Sequence, residues 1–152
     1  MSSLPLEREA ILPRVDGIRQ NLVRLYELGK LPLDDFSTGD NYDLAQHHLR
    51  LALEGVLNIG AHILSRLPGG RPVEYAQIAE KLGELGIVPR VFANDNLVPM
   101  AKMRNILVHH YADIDPARIY AVVRDHLGDI ETFLHYVALL LEKPEAHGLK
   151  LA

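Results

Sequence analysis

Residues 41–67, NYDLAQHHLRLALEGVLNIGAHILSRL, set Leu49, Leu53, Val56, Gly60, Ile63 and Leu67 three or four positions apart. Spacing of that kind draws one stripe along a helix and excludes the two-residue alternation of a strand. Asp40 or Asn41, both good N-cap types, can open this helix, and Pro68-Gly69-Gly70 closes it. Gly55 and Gly60 leave little side chain on it, which suits either a close approach by another helix or two tolerated glycines.

The same period recurs on both sides. Ile11, Val15, Ile18, Leu22, Leu25 and Leu28 predict a helix from about Leu6 to Leu28, ended by Gly29-Lys30-Leu31-Pro32. Pro13 sits inside the pattern, so the helix is expected to start near it or to kink there. A shorter helix is expected over Val73–Leu85 and is stopped by Gly86 and Pro89. Another spans Phe92–Tyr111, with Pro99 as a kink or restart. The last runs from Pro116, placed after Asp115 as a helix start prefers, to Leu141 or Glu142, where Lys143-Pro144 halts it. No stretch calls for a strand. These patterns predict an all-α, up-and-down four-helix bundle with an additional short helix. Residues 144–152 are expected to form a loosely held tail, although its Leu149 and Leu151 could dock on a partner.

A chain of 152 residues at 48% hydrophobic can bury one core, which favours a single domain over 1–152. With no cysteine there is no disulfide, thiolate nucleophile or zinc-thiolate site, as suits a cytoplasmic protein. The start, Met1 to Glu9, lacks a basic region followed by an apolar run, and the longest aliphatic run, Val137–Leu141, is too short for a bilayer. No membrane association is expected. A net charge of −4 argues against bulk electrostatic coating of nucleic acid, so any RNA contact must be local. Arg90, Lys102 and Arg104 are the nearest cluster of cations, although a few basic residues on a helix are more often a solvated face.

Chemistry concentrates in Arg104-Asn105-Ile106-Leu107-Val108-His109-His110-Tyr111. Arginine keeps its charge and can grip a phosphate with two parallel hydrogen bonds, and histidine exchanges a proton near neutrality. Together they suffice for metal-free cleavage of a phosphodiester. On an ideal helix, with each residue advancing about 100°, His110 falls with Met103, Ile106 and Leu107 on the buried face, and His109 points outward with Asn105 and Lys102. Tyr111 lands beside Arg104 at the edge of the wet face. Arg104 and His109 are about 140° apart in this projection, too far to meet on one phosphate unless the helix bends, ends early, or a second chain completes the site.

The pattern Arg-x4-His-x-Tyr, with Asn105 after the arginine, resembles the signature of HEPN-domain toxins of the HepT type, and the helical layout from Leu44 to Val137 is similar to theirs. The resemblance implies a homodimer with motifs gathered at the two-fold axis, and a metal-independent endoribonuclease toxin without a cofactor. Arg104 and His109 would be catalytic and Asn105 and Lys102 supporting. Tyr111 would be the residue to which an MntA-like nucleotidyltransferase antitoxin attaches AMP. A bulky anion beside Arg104 would then block the phosphate site by charge and bulk.

Two other readings compete: a non-catalytic HEPN module that docks a nucleotidyltransferase and a nucleotide, and a purely structural adaptor. The full set of motif residues favours the enzyme. His47-His48 and His109-His110 look like metal ligands, but neighbours on a helix diverge by about 100° and HExxH is absent, so no metal site is expected. His62, His126 and His135 read as ordinary histidines, and Pro68-Gly69-Gly70-Arg71 as a turn.

Overall fold

The computed structural model describes residues 4–152; residues 1–3, part of the start read above for an export signal, lie outside the described residues. The order is α1 (Arg8–Gly29), one-turn α2 (Leu33–Phe36), α3 (Asn41–Ser65), α4 (Tyr75–Glu84), one-turn α5 (Arg90–Phe92), α6 (Val98–His109), α7 (Pro116–Asp125) and α8 (Leu127–Glu142). Among the described residues there is no strand, only one isolated bridge, and the fold is all-α as the periodicity predicts. Among the described residues no helix is long and apolar enough to cross a membrane.

The α1–α3 pair forms the most extensive helix contact, and glycine decides how close the two come. A Cβ on Gly55 would stand 2.7 Å from Ile18 Cγ1 of α1, and one on Gly60 would stand 2.8 Å from Leu82 Cδ1 of α4. Both glycines are therefore sites of close approach. α3 is the spine, meeting α1 at one glycine and α4 at the other. Its apolar stripe, Leu49, Leu53, Val56 and Ile63, is buried in a core shared with Leu25, Phe36, Ile78, Ile119 and Phe133.

Three details depart from expectation. Pro13 neither starts nor ends α1, which runs through it from Arg8. As Pro99 predicts, the helix restarts there: α6 opens at Val98 with Pro99 in its first turn, after a π turn over Ala93–Leu97 in which the Val98 amide reaches back to the Ala93 carbonyl. Pro99 has no amide to give the Asp95 carbonyl, and the wider turn is one way of accommodating it. The expected last helix is two, divided at His126, whose backbone (φ −121°, ψ 4°) leaves helical geometry.

The third departure concerns the C-terminal segment. Residues 144–152 are not loosely held: a 3₁₀ turn, Pro144–His147, returns the chain to the core, where Leu149 is 4% exposed. The Leu6 amide donates to the Lys150 carbonyl at 2.8 Å, and the Ala152 amide to the Leu6 carbonyl at 2.9 Å. Leu149 is covered by this chain's own core, without a partner.

Candidate active site

The motif helix α6 ends at His109. His110 has φ −132° and ψ 25°, and a 3₁₀ turn follows over Tyr111–Asp113. This early end corrects the ideal projection. His110 is exposed, not in the core, because its backbone has already left the helix, although its amide still reaches the Ile106 carbonyl at 2.8 Å. His109, the terminal helical residue, is exposed as expected.

Arg104 is half-buried and held on three sides. Its Nε donates to Glu54 Oε1 at 3.3 Å, its Nη1 donates to Asn105 Oδ1 at 3.2 Å, and its guanidinium carbon lies 4.8 Å from the centre of the Tyr75 ring. Tyr75 is itself fixed, its hydroxyl 3.2 Å from Asn58 Oδ1. A charged fork in that setting is pre-aimed, and the ion pair, cation–π contact and amide each remove rotamer freedom.

Arg104 and His109 border one open cleft of about 550 Å³, with Asn105 beside them and Asn58, Arg71 and Tyr75 opposite. Both residues thus border one cleft of a single chain despite the roughly 140° between them in the projection. A second open cleft, about 470 Å³, lies between the same helix and α3, and Tyr111 borders it with Gln46, His47, Arg50, Glu54 and Arg104. Arg104 is common to both clefts. Tyr111 is 64% exposed, and its backbone carbonyl accepts from Gln46 Nε2 at 3.4 Å. The turn behind it is pinned by Tyr42, whose hydroxyl donates to the Ile114 carbonyl at 3.1 Å. Burial, followed by the charges of Asp115 and Asp43, pushes the Tyr42 phenol above its ordinary value, so it remains a donor.

Two cations are not recruited. Lys102 is exposed on α6 and lines neither cleft, and Arg90 borders separate grooves at α5. Glu54, Asn58, Arg71 and Tyr75 belong to the site and were not singled out by the motif. A signal for two of them was present: Gln46, Arg50, Glu54, Asn58 and His62 recur every fourth residue of α3, a polar stripe through an otherwise apolar run. Among the described residues no group of three or more His, Asp and Glu is placed to hold a metal ion.

A model of the family described as Ribonuclease HepT-like matches residues 18–137. The chain belongs to this family. HepT-like relatives include a tRNA nuclease HepT of Aphanizomenon flos-aquae, 29% identical over 119 residues that cover 78% of this chain and 80% of that protein. An mRNA nuclease HepT of Shewanella oneidensis is 25% identical over 132 residues, 85% of this chain and 96% of that one. Among solved structures, the tri-AMPylated Shewanella oneidensis HEPN toxin in complex with MNT antitoxin superposes with a TM-score of 0.77 at 23% identity, over 87% of this chain and 98% of that one. That likeness shows the HepT-like fold to be shared.

Proposed function

We propose that this protein is a metal-independent endoribonuclease toxin that cleaves RNA in the cleft of Arg104 and His109. The observation that carries the reading is their presence on one cleft, with Arg104 held by Glu54, Asn105 and Tyr75. The ribose 2′-hydroxyl attacks the adjacent phosphorus, the bond to the 5′-oxygen breaks, and a 2′,3′-cyclic phosphate remains. His109 takes the proton of the 2′-hydroxyl or gives one to the leaving oxygen, and His109 of a second copy in a homodimer supplies the complementary step. Arg104 stabilises the charge that gathers on the phosphoryl oxygens. Asn105 orients Arg104, and Lys102 contributes only long-range attraction from outside the cleft. A guanidinium and an imidazole supply both the charge and the proton transfer, so the chemistry needs no metal or other cofactor.

An MntA-like nucleotidyltransferase antitoxin silences the toxin by attaching AMP to Tyr111, whose exposed phenol a second protein's active site can reach. The AMPylated state of the structurally similar HEPN toxin supports this part of the reading. A chain without cysteine suits such a pair in the cytoplasm.

Arg104→Ala and His109→Ala are each expected to lower RNA cleavage at least about a hundredfold and to relieve growth inhibition, with the fold intact by circular dichroism. Cleavage is expected to persist in EDTA and to leave cyclic or 3′-phosphate ends. Full activity of both variants, or loss in chelator restored by a divalent ion, would sink the proposal.

A further inference from the structure

The cleft that holds Tyr111 differs in charge from the rest of the molecule. Arg50 and Arg104 share one carboxylate, Glu54 Oε1, at 3.1 Å and 3.3 Å, so two fixed cations face one fixed anion. His47 borders the same groove. The groove is therefore locally cationic in a chain whose net charge is −4.

The order of these groups is set by helix geometry. Gln46, Arg50 and Glu54 succeed one another every fourth residue, steps of about 6 Å along α3. Gln46 holds the Tyr111 carbonyl at one end, and Glu54 holds Arg104 at the other. Arg50 lies midway. His109 borders the opposite cleft, so a ligand entering from Tyr111 reaches Arg104 on the side away from the histidine.

We propose that the groove from Tyr111 to Arg104 is a binding seat for adenylate phosphates, with Arg50 as its central contact and His47 beside it. The inference rests on the reading of Tyr111 as an AMP acceptor. In that reaction the Tyr111 oxygen bonds to the α-phosphorus of ATP, the α–β bridge breaks, pyrophosphate leaves and the phenolic proton passes to solvent. The phosphodiester formed is anionic and already stands at the mouth of the groove. Arg50 turns from Glu54 to this phosphate, and further adenylates extend along the stripe until they engage Arg104. Modification then disarms the cleavage cleft through the one residue the two clefts share, without filling the His109 side.

The test uses the unmodified full-length chain and a 5′-phosphorylated deoxyadenylate dinucleotide, which lacks the attacking hydroxyl and is not cut. Its dissociation constant is measured by calorimetry at low salt. Arg50→Gln is expected to weaken binding about tenfold, the loss of a charge-assisted phosphate contact, and His47→Ala to weaken it less. Arg50→Lys, which keeps the charge, recovers part of the affinity and separates charge from fold. Arg71→Gln and His109→Ala, on the other cleft, leave binding unchanged. Equal binding by Arg50→Gln and wild type, weakening by Arg71→Gln alone, or no saturable binding would overturn the proposal. Intact mass after incubation with the partner transferase and ATP reads the underlying assignment separately. An unmodified Tyr111 with Arg50-dependent dinucleotide binding removes AMP attachment and leaves the nucleotide seat standing.

Discussion

Arg104 is the residue on which both clefts depend, and its neighbours matter through it. Glu54 lowers the net charge that Arg104 presents to a phosphate, yet it also fixes the direction of the guanidinium. Positioning outweighs the extra charge when the reacting phosphate must be met within a narrow geometry. Glu54→Gln is thus expected to lower kcat on the order of tenfold with a smaller change in KM, and Tyr75→Phe, which keeps the ring under the guanidinium, to be milder than Tyr75→Leu. A larger kcat in Glu54→Gln would mean that neutralisation dominates. The sequence discloses the motif residues and the outward position of His109. It does not disclose the fate of His110, because no glycine or proline marks the end of α6 and the ideal helix runs on past it. Exposed and outside the core, His110→Ala should change stability by less than about 0.5 kcal/mol in denaturant unfolding.

α3 shows how much of an element can be read before its packing is seen. Its apolar stripe and its end at the Pro68-Gly69-Gly70 turn are legible from period and breakers alone. Its polar stripe is equally visible, but what Glu54 and Asn58 grip depends on α4 and α6, which no local pattern places beside them. At the far end of the stripe His62 Nε2 accepts the Glu7 amide at 3.2 Å, which caps the start of α1 and requires an unprotonated ring nitrogen. Burial, then the charge of Arg66 and to a lesser degree Arg14, lowers the His62 value against the opposing pull of Glu7, and burial with His47 and Arg24 lowers that of His48. The folded state then binds fewer protons than the unfolded chain, so stability is full above pH 6.5, the ordinary histidine value, and is lost as pH falls through the depressed folded values. Melting temperature should therefore fall below pH 6.5, and His62→Gln should flatten that fall; an unchanged profile would remove His62 as a cause. Glycine gives a second test at this scale. A Cβ on Gly83 would stand 2.5 Å from Ala93 Cβ and 3.4 Å from the Arg90 Cα, whereas one on Gly17 meets nothing within 4 Å. Overpacking costs about 1–3 kcal/mol and the helix preference for alanine returns roughly 1 kcal/mol, so Gly83→Ala should destabilise and Gly17→Ala stabilise.

At the scale of the whole molecule, the helical bundle follows from the repeated period, but the joining of its ends does not. Nothing in Pro144–Ala152 has a helical or strand pattern, and the segment is ordered by what it meets: Leu149 enters the core, and Leu151 lies alongside Leu6 in a parallel bridge. The contact joins residues separated by nearly the full length of the chain. Burying a leucine side chain stabilises by about 1.5–3 kcal/mol, and removing this segment would also uncover Leu6 and leave its amide and carbonyl without their bonds. A chain ending at Lys143 should thus unfold at lower urea concentration by an amount equivalent to about 2–4 kcal/mol. The cleft of Arg104 and His109 is built from α3, α4, α6 and the turn before α4, with no residue from 144–152 among its lining. RNA cleavage by the truncated chain, measured at a temperature where it is still folded, should accordingly stay within about twofold of the full chain, a difference of less than about 0.5 kcal/mol in barrier height. An unchanged urea midpoint would show that the segment is held without contributing to the fold. A large loss of cleavage in a still-folded truncation would show that the closed ends support the site through α3, since Glu7 and Leu6 adjoin the helix end that carries His62.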